Sequence, residues 1–205
     1  MEIEQSDMEK KTPREALSKF YSDNRLDQDG GNSSSSVKIE LTSKLHFYIP
    51  NFDARRKAVP KHDIHHLLTG YDTSFAGECE ISAWEIASGC KKYWAAFVID
   101  TSGIMLGIPL NFMGVIRAYA RGRRTSNLYH DKFSTEEAMD MKISVLRESL
   151  SLDKFPKETR VTIIDFILFS GFVLYGILFS ICSLVLLPLV LIYSLYAILR
   201  TKNKQ

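Results

Sequence analysis

The sequence predicts an all-α protein: a small helical metal-binding domain followed by a C-terminal hydrophobic helical hairpin. Three observations lead there. Residues 62–88 read as two short helices joined by a tight loop, and three of the chain's five histidines crowd into positions 62–66. Residues 135–150 carry an apolar stripe at helical spacing behind a capping signal. Residues 166–199 contain no charged side chain. A chain of 205 residues accommodates one domain and an appendage. Its composition divides it into a polar lead-in (1–36), a helical domain (37–156) and a membrane-anchoring segment (157–205).

A formal net charge of +2 gives no reason to expect a nucleic-acid partner. Cys79, Cys90 and Cys182 are scattered and odd in number. They form neither a disulfide framework nor a Cys-x-x-Cys pair, which fits a reducing compartment.

The lead-in has little apolar content. Glu2, Glu4, Asp7 and Glu9 do not suit a transit peptide, and no apolar core marks a secretory signal. This region is expected to be cytosolic and largely disordered. Within it, Pro13–Tyr21 can form a short amphipathic helix with Leu17, Phe20 and Tyr21 on one side. Asp27–Ser36 has the composition of a linker. Val37–Tyr48 alternates in part and reads as a short strand or extended segment, broken by Pro50, Asn51 and Asp53. Arg55, Arg56, Lys57 and Lys61 form a basic cluster. It is either a solvated loop or a surface for a membrane or an anionic substrate.

Pro60 suits the first turn of a helix running over His62–Thr69 and stopped by Gly70. His62 and His66 are four apart, so on a helix their imidazoles share a face. His65 competes with His66 for that partnership. Asp63 points about 100° away from His62. It can be a ligand at the edge, an acceptor that orients a histidine, or a general base. After the loop Tyr71–Ser74, a second helix runs to Ser88 and is closed by Gly89. Ile81, Trp84 and Ile86 supply its apolar surface, and Glu78, Ser82 and Glu85 share one side. Packed back on the first helix, it brings Glu78 to the histidines. These N and O donors suit Zn²⁺ or another divalent metal. Glu85, two turns further on, reads as solvated rather than as support for the site.

The spacing His62-Asp63-x-x-His66 with Glu78 twelve residues later, together with Leu67-Leu68-Thr69-Gly70 and Gly77-Glu78, resembles the ubiquinone (coenzyme Q) biosynthesis Coq-four family. The similarity extends over roughly residues 45–152 and includes Ala118–Arg124 and Val145-Leu146-Arg147. It implies metal ligands at His62, Asp63, His66 and Glu78, with Asp63 as fourth ligand or catalytic acid/base. It also implies a polyprenylated hydroxybenzoate substrate, metal-dependent C1 decarboxylation and contact with other quinone-biosynthesis proteins.

Lys91–Arg124 is apolar but interrupted by Gly103, Gly107 and Pro109, so it is not one clean membrane span. Tyr93–Val98 belongs to one helix and Phe112–Tyr119 to another. The stretch is either buried core or an apolar groove for a lipid tail, with Arg121, Arg123 and Arg124 at phosphate level. His130 reads as a surface residue. Ser134 and Glu137 form a capping box opening a helix over Thr135–Leu150, with Met139, Ile143, Leu146 and Leu150 inward. Residues 166–199 as one helix would span about 51 Å, too long for a hydrocarbon core of about 30 Å. A hairpin turning near Ser180–Ser183 or at Leu187-Pro188 fits. Lys154, Lys157 and Arg160 precede it, and Arg200, Lys202 and Lys204 follow. Basic flanks at both ends place both on the cytoplasmic face. The function expected is therefore a membrane-surface decarboxylase of quinone synthesis. The alternatives are a non-catalytic lipid- or quinone-binding scaffold and a membrane metallohydrolase.

Overall fold

The computed structural model describes residues 8–24, 33–40 and 46–202, and the fold is all-α with one small strand pair. The linker expected at Asp27–Ser36 falls largely outside the described residues. The amphipathic helix of the lead-in forms as α1 (Pro13–Asp23), capped by Thr12 in a reciprocal capping box with Glu15. It buries Ala16, Leu17 and Tyr21 in the main core. Arg14 also reaches Glu136 and Asp140 across the chain. This part of the lead-in is therefore packed onto the domain.

The extended segment after it is a hairpin of two strands, β1 (Ser36–Glu40) and β2 (His46–Pro50), paired antiparallel with Val37 opposite Ile49. Helix α2 (Asp53–Thr69) is longer than the His62–Thr69 helix expected, and Pro60 lies inside it. An interior proline costs about 3 kcal/mol. Burial of Ala58, Val59 and Ile64 on the same helix offsets that cost. The basic cluster is thus helical rather than a loop. Gly70 ends α2 in the left-handed conformation, φ 74°. Ser74 then caps α3 (Phe75–Ser88). Gly77 lies against the Asp72 carbonyl, where a Cβ has no room.

Helix α4 (Trp94–Gly122) leaves helical geometry at Asn111, φ −145° and ψ 54°. Gly103 and Gly107 lie over Ser82 and Cys79, whereas Gly114 and Gly122 lie over Glu80 and Trp84. The register on α3 reverses, so α4 is two helices folded back at Asn111, as the Gly and Pro interruptions foretold. The Asn111 side chain secures the bend by donating to Glu80 Oε1 at 2.8 Å.

The helix expected over Thr135–Leu150 is split into α5 (Thr135–Asp140) and α6 (Ile143–Ser149). Met141 and Lys142 are extended because the Ile143 N–H is taken by the Lys11 carbonyl at 2.9 Å. The inward stripe survives, with Ile143, Leu146 and Leu150 buried. Together with Ile64, Leu68, Ile81, Trp84, Ile104 and Ile116 they form the core.

Two apolar helices close the chain, α7 (Ile163–Leu184) and α8 (Leu187–Lys202), and their break at residues 185–186 fits a hairpin. The buried Asp165 binds Arg123 and Arg124, locking the start of α7 to the end of α4. Phe169 packs on Phe112 and Tyr119. Further along, Phe172 packs on Tyr119, Tyr175 on Phe97, and the buried Gly176 lies against Met105. The outward face of α7 is bare: Ile163 is 80% exposed, Leu174 66% and Leu178 65%. By length and composition α4 and α7 are both apolar enough to cross a membrane. The fold-back at Asn111 leaves α7, among the described residues, as the one with the full uninterrupted length.

Candidate metal centre

The helical spacing of α2 places His62 Nε2 3.1 Å from His66 Nε2. Glu78, in the first turn of α3, brings its carboxylate within 3.5 Å of His62 and 3.3 Å of His66. A tetrahedral ion with bonds of about 2.0–2.1 Å needs donors about 3.3 Å apart. The three separations bracket that value. The Glu78 side chain is 43% exposed, so the centre opens to solvent on one side.

The ring orientations are set from behind. His66 Nδ1 lies 2.9 Å from the Tyr71 carbonyl, which can only accept, so Nδ1 carries the proton. His62 Nδ1 donates to Glu85 Oε1 at 3.0 Å. With both rings neutral, the two Nε2 lone pairs then face each other across 3.1 Å, beside a carboxylate, and in the metal-free chain a proton on His62 relieves that contact. A cation between them resolves that repulsion, and acceptors on the distal nitrogens are the usual support of metal-bound imidazoles.

Glu85 departs from the sequence expectation most clearly. It is fully buried, not solvated. Its Oε1 also accepts from His65 Nδ1 at 2.5 Å, and its Oε2 from the Tyr129 hydroxyl at 3.3 Å. His65 is excluded as a competing ligand because its Nε2 accepts the Leu128 N–H at 3.0 Å. Glu85 follows Glu78 by seven residues, so its place on the same helix face was readable. What no spacing revealed is that α2 crosses α3 at both heights. Among the described residues, donor atoms of His62, Glu85 and Asp100 also lie within 4.8 Å of one another. Glu85 there is already filled by its three donors, so this group serves the first as support.

Asp63 stands apart from the His62–His66–Glu78 group. Its Oδ2 accepts the Tyr21 hydroxyl at 2.8 Å, and the side chain is buried. Burial raises its pKa, opposed by His62 and the Tyr21 bond. For Glu78 burial acts upward too, but the bonds to His62 and His66 outweigh it and hold the carboxyl at about 2. Burial would lower His62, yet Glu85 and Glu78 raise it well above its ordinary value. Burial lowers His65, and its Nε2, which accepts the Leu128 N–H, is the unprotonated ring nitrogen. Arg121 is buried and bonded to the Thr69 and Phe155 carbonyls, and Arg123 and Arg124 pair with Asp165. These bonds tie the end of α4 to the rest of the fold. His130 is exposed, with Nε2 2.6 Å from the Ser88 carbonyl.

Fold and site together define a helical protein with a candidate divalent-metal centre and an apolar C-terminal helix pair. No family model, curated protein or solved structure matches the chain. The resemblance to the Coq-four family therefore rests on the motif residues themselves.

Proposed function

We propose that the chain binds Zn²⁺ or another divalent metal through His62, His66 and Glu78 and acts at the cytoplasmic face of a membrane on a prenylated aromatic acid. The reaction proposed is C1 decarboxylation of a polyprenyl-hydroxybenzoate ring, alongside other quinone-biosynthesis proteins. The observation that carries the metal is the triad of donors at 3.1, 3.3 and 3.5 Å with both distal imidazole nitrogens engaged. The substrate class comes from the motif resemblance. The bare apolar face of α7 and its basic flanks support the membrane part of the reading.

When bound, the metal supplies Lewis-acid polarisation of a head-group oxygen. The half-exposed Glu78 leaves room beside it for that head. As the bond from ring C1 to its carboxylate breaks, carbon dioxide leaves and the electron pair stays on C1. C1 takes up a proton from solvent, on the side that the half-exposed Glu78 leaves open. Asp63, held by Tyr21, contributes its charge behind His62.

The test is carbon dioxide release from a prenylated hydroxybenzoate by the full chain purified in detergent and loaded with zinc. His66→Ala should lose bound zinc and activity while keeping its helical circular dichroism. Full zinc occupancy in that variant would overturn the reading. Zinc binding without turnover would identify a non-catalytic scaffold, and ester or phosphate cleavage a metallohydrolase.

A further inference from the structure

Among the described arginines that are buried or half-buried, Arg55 at the start of α2 is the one that the fold leaves without an anion or a backbone acceptor. Arg121 binds two carbonyls, Arg123 and Arg124 share Asp165, and Arg147 binds Asp153. Arg56 next to it reaches Asp53 and the Ser34 carbonyl. Arg55, by contrast, donates only to the neutral side-chain oxygen of Asn51 at 3.0 Å, among the described residues. Removing a guanidinium from water without an anionic partner is unfavourable. Burial accordingly pulls its pKa below the ordinary value, with only a longer-range attraction from Asp63 opposing.

Its position on the helix gives this a direction. At 100° per residue, Arg55 lies within about 20° of both His62 and His66 around the α2 axis. The offset to His62 is about 10 Å along the axis, and the Arg55 guanidinium, bonded to Asn51, marks the N-terminal end of that gap. A cation and a candidate metal centre therefore line one stripe of one helix. The long axis of a para-substituted benzoate suits the gap between them.

We propose that Arg55 is an anion-binding subsite of the centre, taking the carboxylate of an aromatic amphiphile whose opposite ring oxygen reaches the metal. The subsite rests on the metal-centre reading above and adds the group that selects an acid over its neutral analogue. Charge-assisted, two-pronged binding of a carboxylate is what a guanidinium provides and an ammonium provides less well.

The experiment measures binding of 3-geranyl-4-hydroxybenzoate and of its methyl ester to the full-length, zinc-loaded chain in detergent, with zinc content determined in parallel. Wild type should bind the acid about tenfold or more tighter than the ester. Arg55→Met should abolish that preference through loss of acid binding alone, with zinc content, ester binding and melting temperature unchanged. Arg55→Lys should restore part of the preference. An acid preference that persists in Arg55→Met, or none in wild type, would overturn the subsite. A wild-type chain without zinc whose acid preference still depends on Arg55 would instead refute the metal reading and leave the subsite standing.

Discussion

Replacing Glu85 by Gln separates charge from shape behind the candidate centre. The amide oxygen can keep the Oε1 position and still accept from His62 and His65, now at 3.0 and 2.5 Å. The amide nitrogen then faces the Tyr129 hydroxyl, which can rotate to accept. Geometry survives and only the negative charge is lost. Two charge-assisted hydrogen bonds become neutral ones, a loss of about 1 kcal/mol each, so stability should fall by about 2 kcal/mol. Loss of a carboxylate behind a ligating imidazole typically weakens metal binding by about 10–100-fold. The assays are urea or thermal unfolding and zinc titration against a chromophoric chelator. Glu85→Leu is the severe control. It strands three buried donors at about 1–3 kcal/mol each, which approaches the whole stability of a small domain. Zinc affinity within threefold of wild type in Glu85→Gln would refute the idea that Glu85 supports the centre through His62.

Three further outcomes are expected. Glu85 and Glu78 raise His62 well above its ordinary value against the effect of burial, so in the metal-free chain it keeps its proton to higher pH than a free imidazole. Zinc binding should therefore release a proton from His62, read with an indicator in weak buffer, and less of one as pH rises through the His62 value. The same raised pKa stabilises the metal-free fold fully below about pH 6.5 and is lost as pH rises through the folded value. The full chain should also stay in the membrane pellet after alkaline carbonate washing, since α7 exposes Ile163, Leu174, Leu178 and Leu184 to its surroundings. Release into the supernatant would count against insertion.

Local chemistry alone determined a good deal of this protein. The capping residues Ser134 and Glu137, the stop at Gly70, the loop before α3 and the turn between two apolar C-terminal helices all follow from short-range geometry and hydropathy. The spacing His62, His66, Glu78 also sufficed to find three donors that meet, because four residues make one turn and the connecting loop is short. Tertiary structure decided the rest. Proline 60 lies inside a longer helix because neighbouring side chains gain burial. Helix 135–150 breaks because Lys11, far away in sequence, takes the Ile143 N–H. Glu85 is a buried anchor and Asp63 turns to Tyr21 because α2 meets α3 on one side and α1 on the other. Periodicity reports which face of a helix a residue occupies. Which partner covers that face depends on contacts between segments distant in the chain, and those exist only once the whole chain has packed.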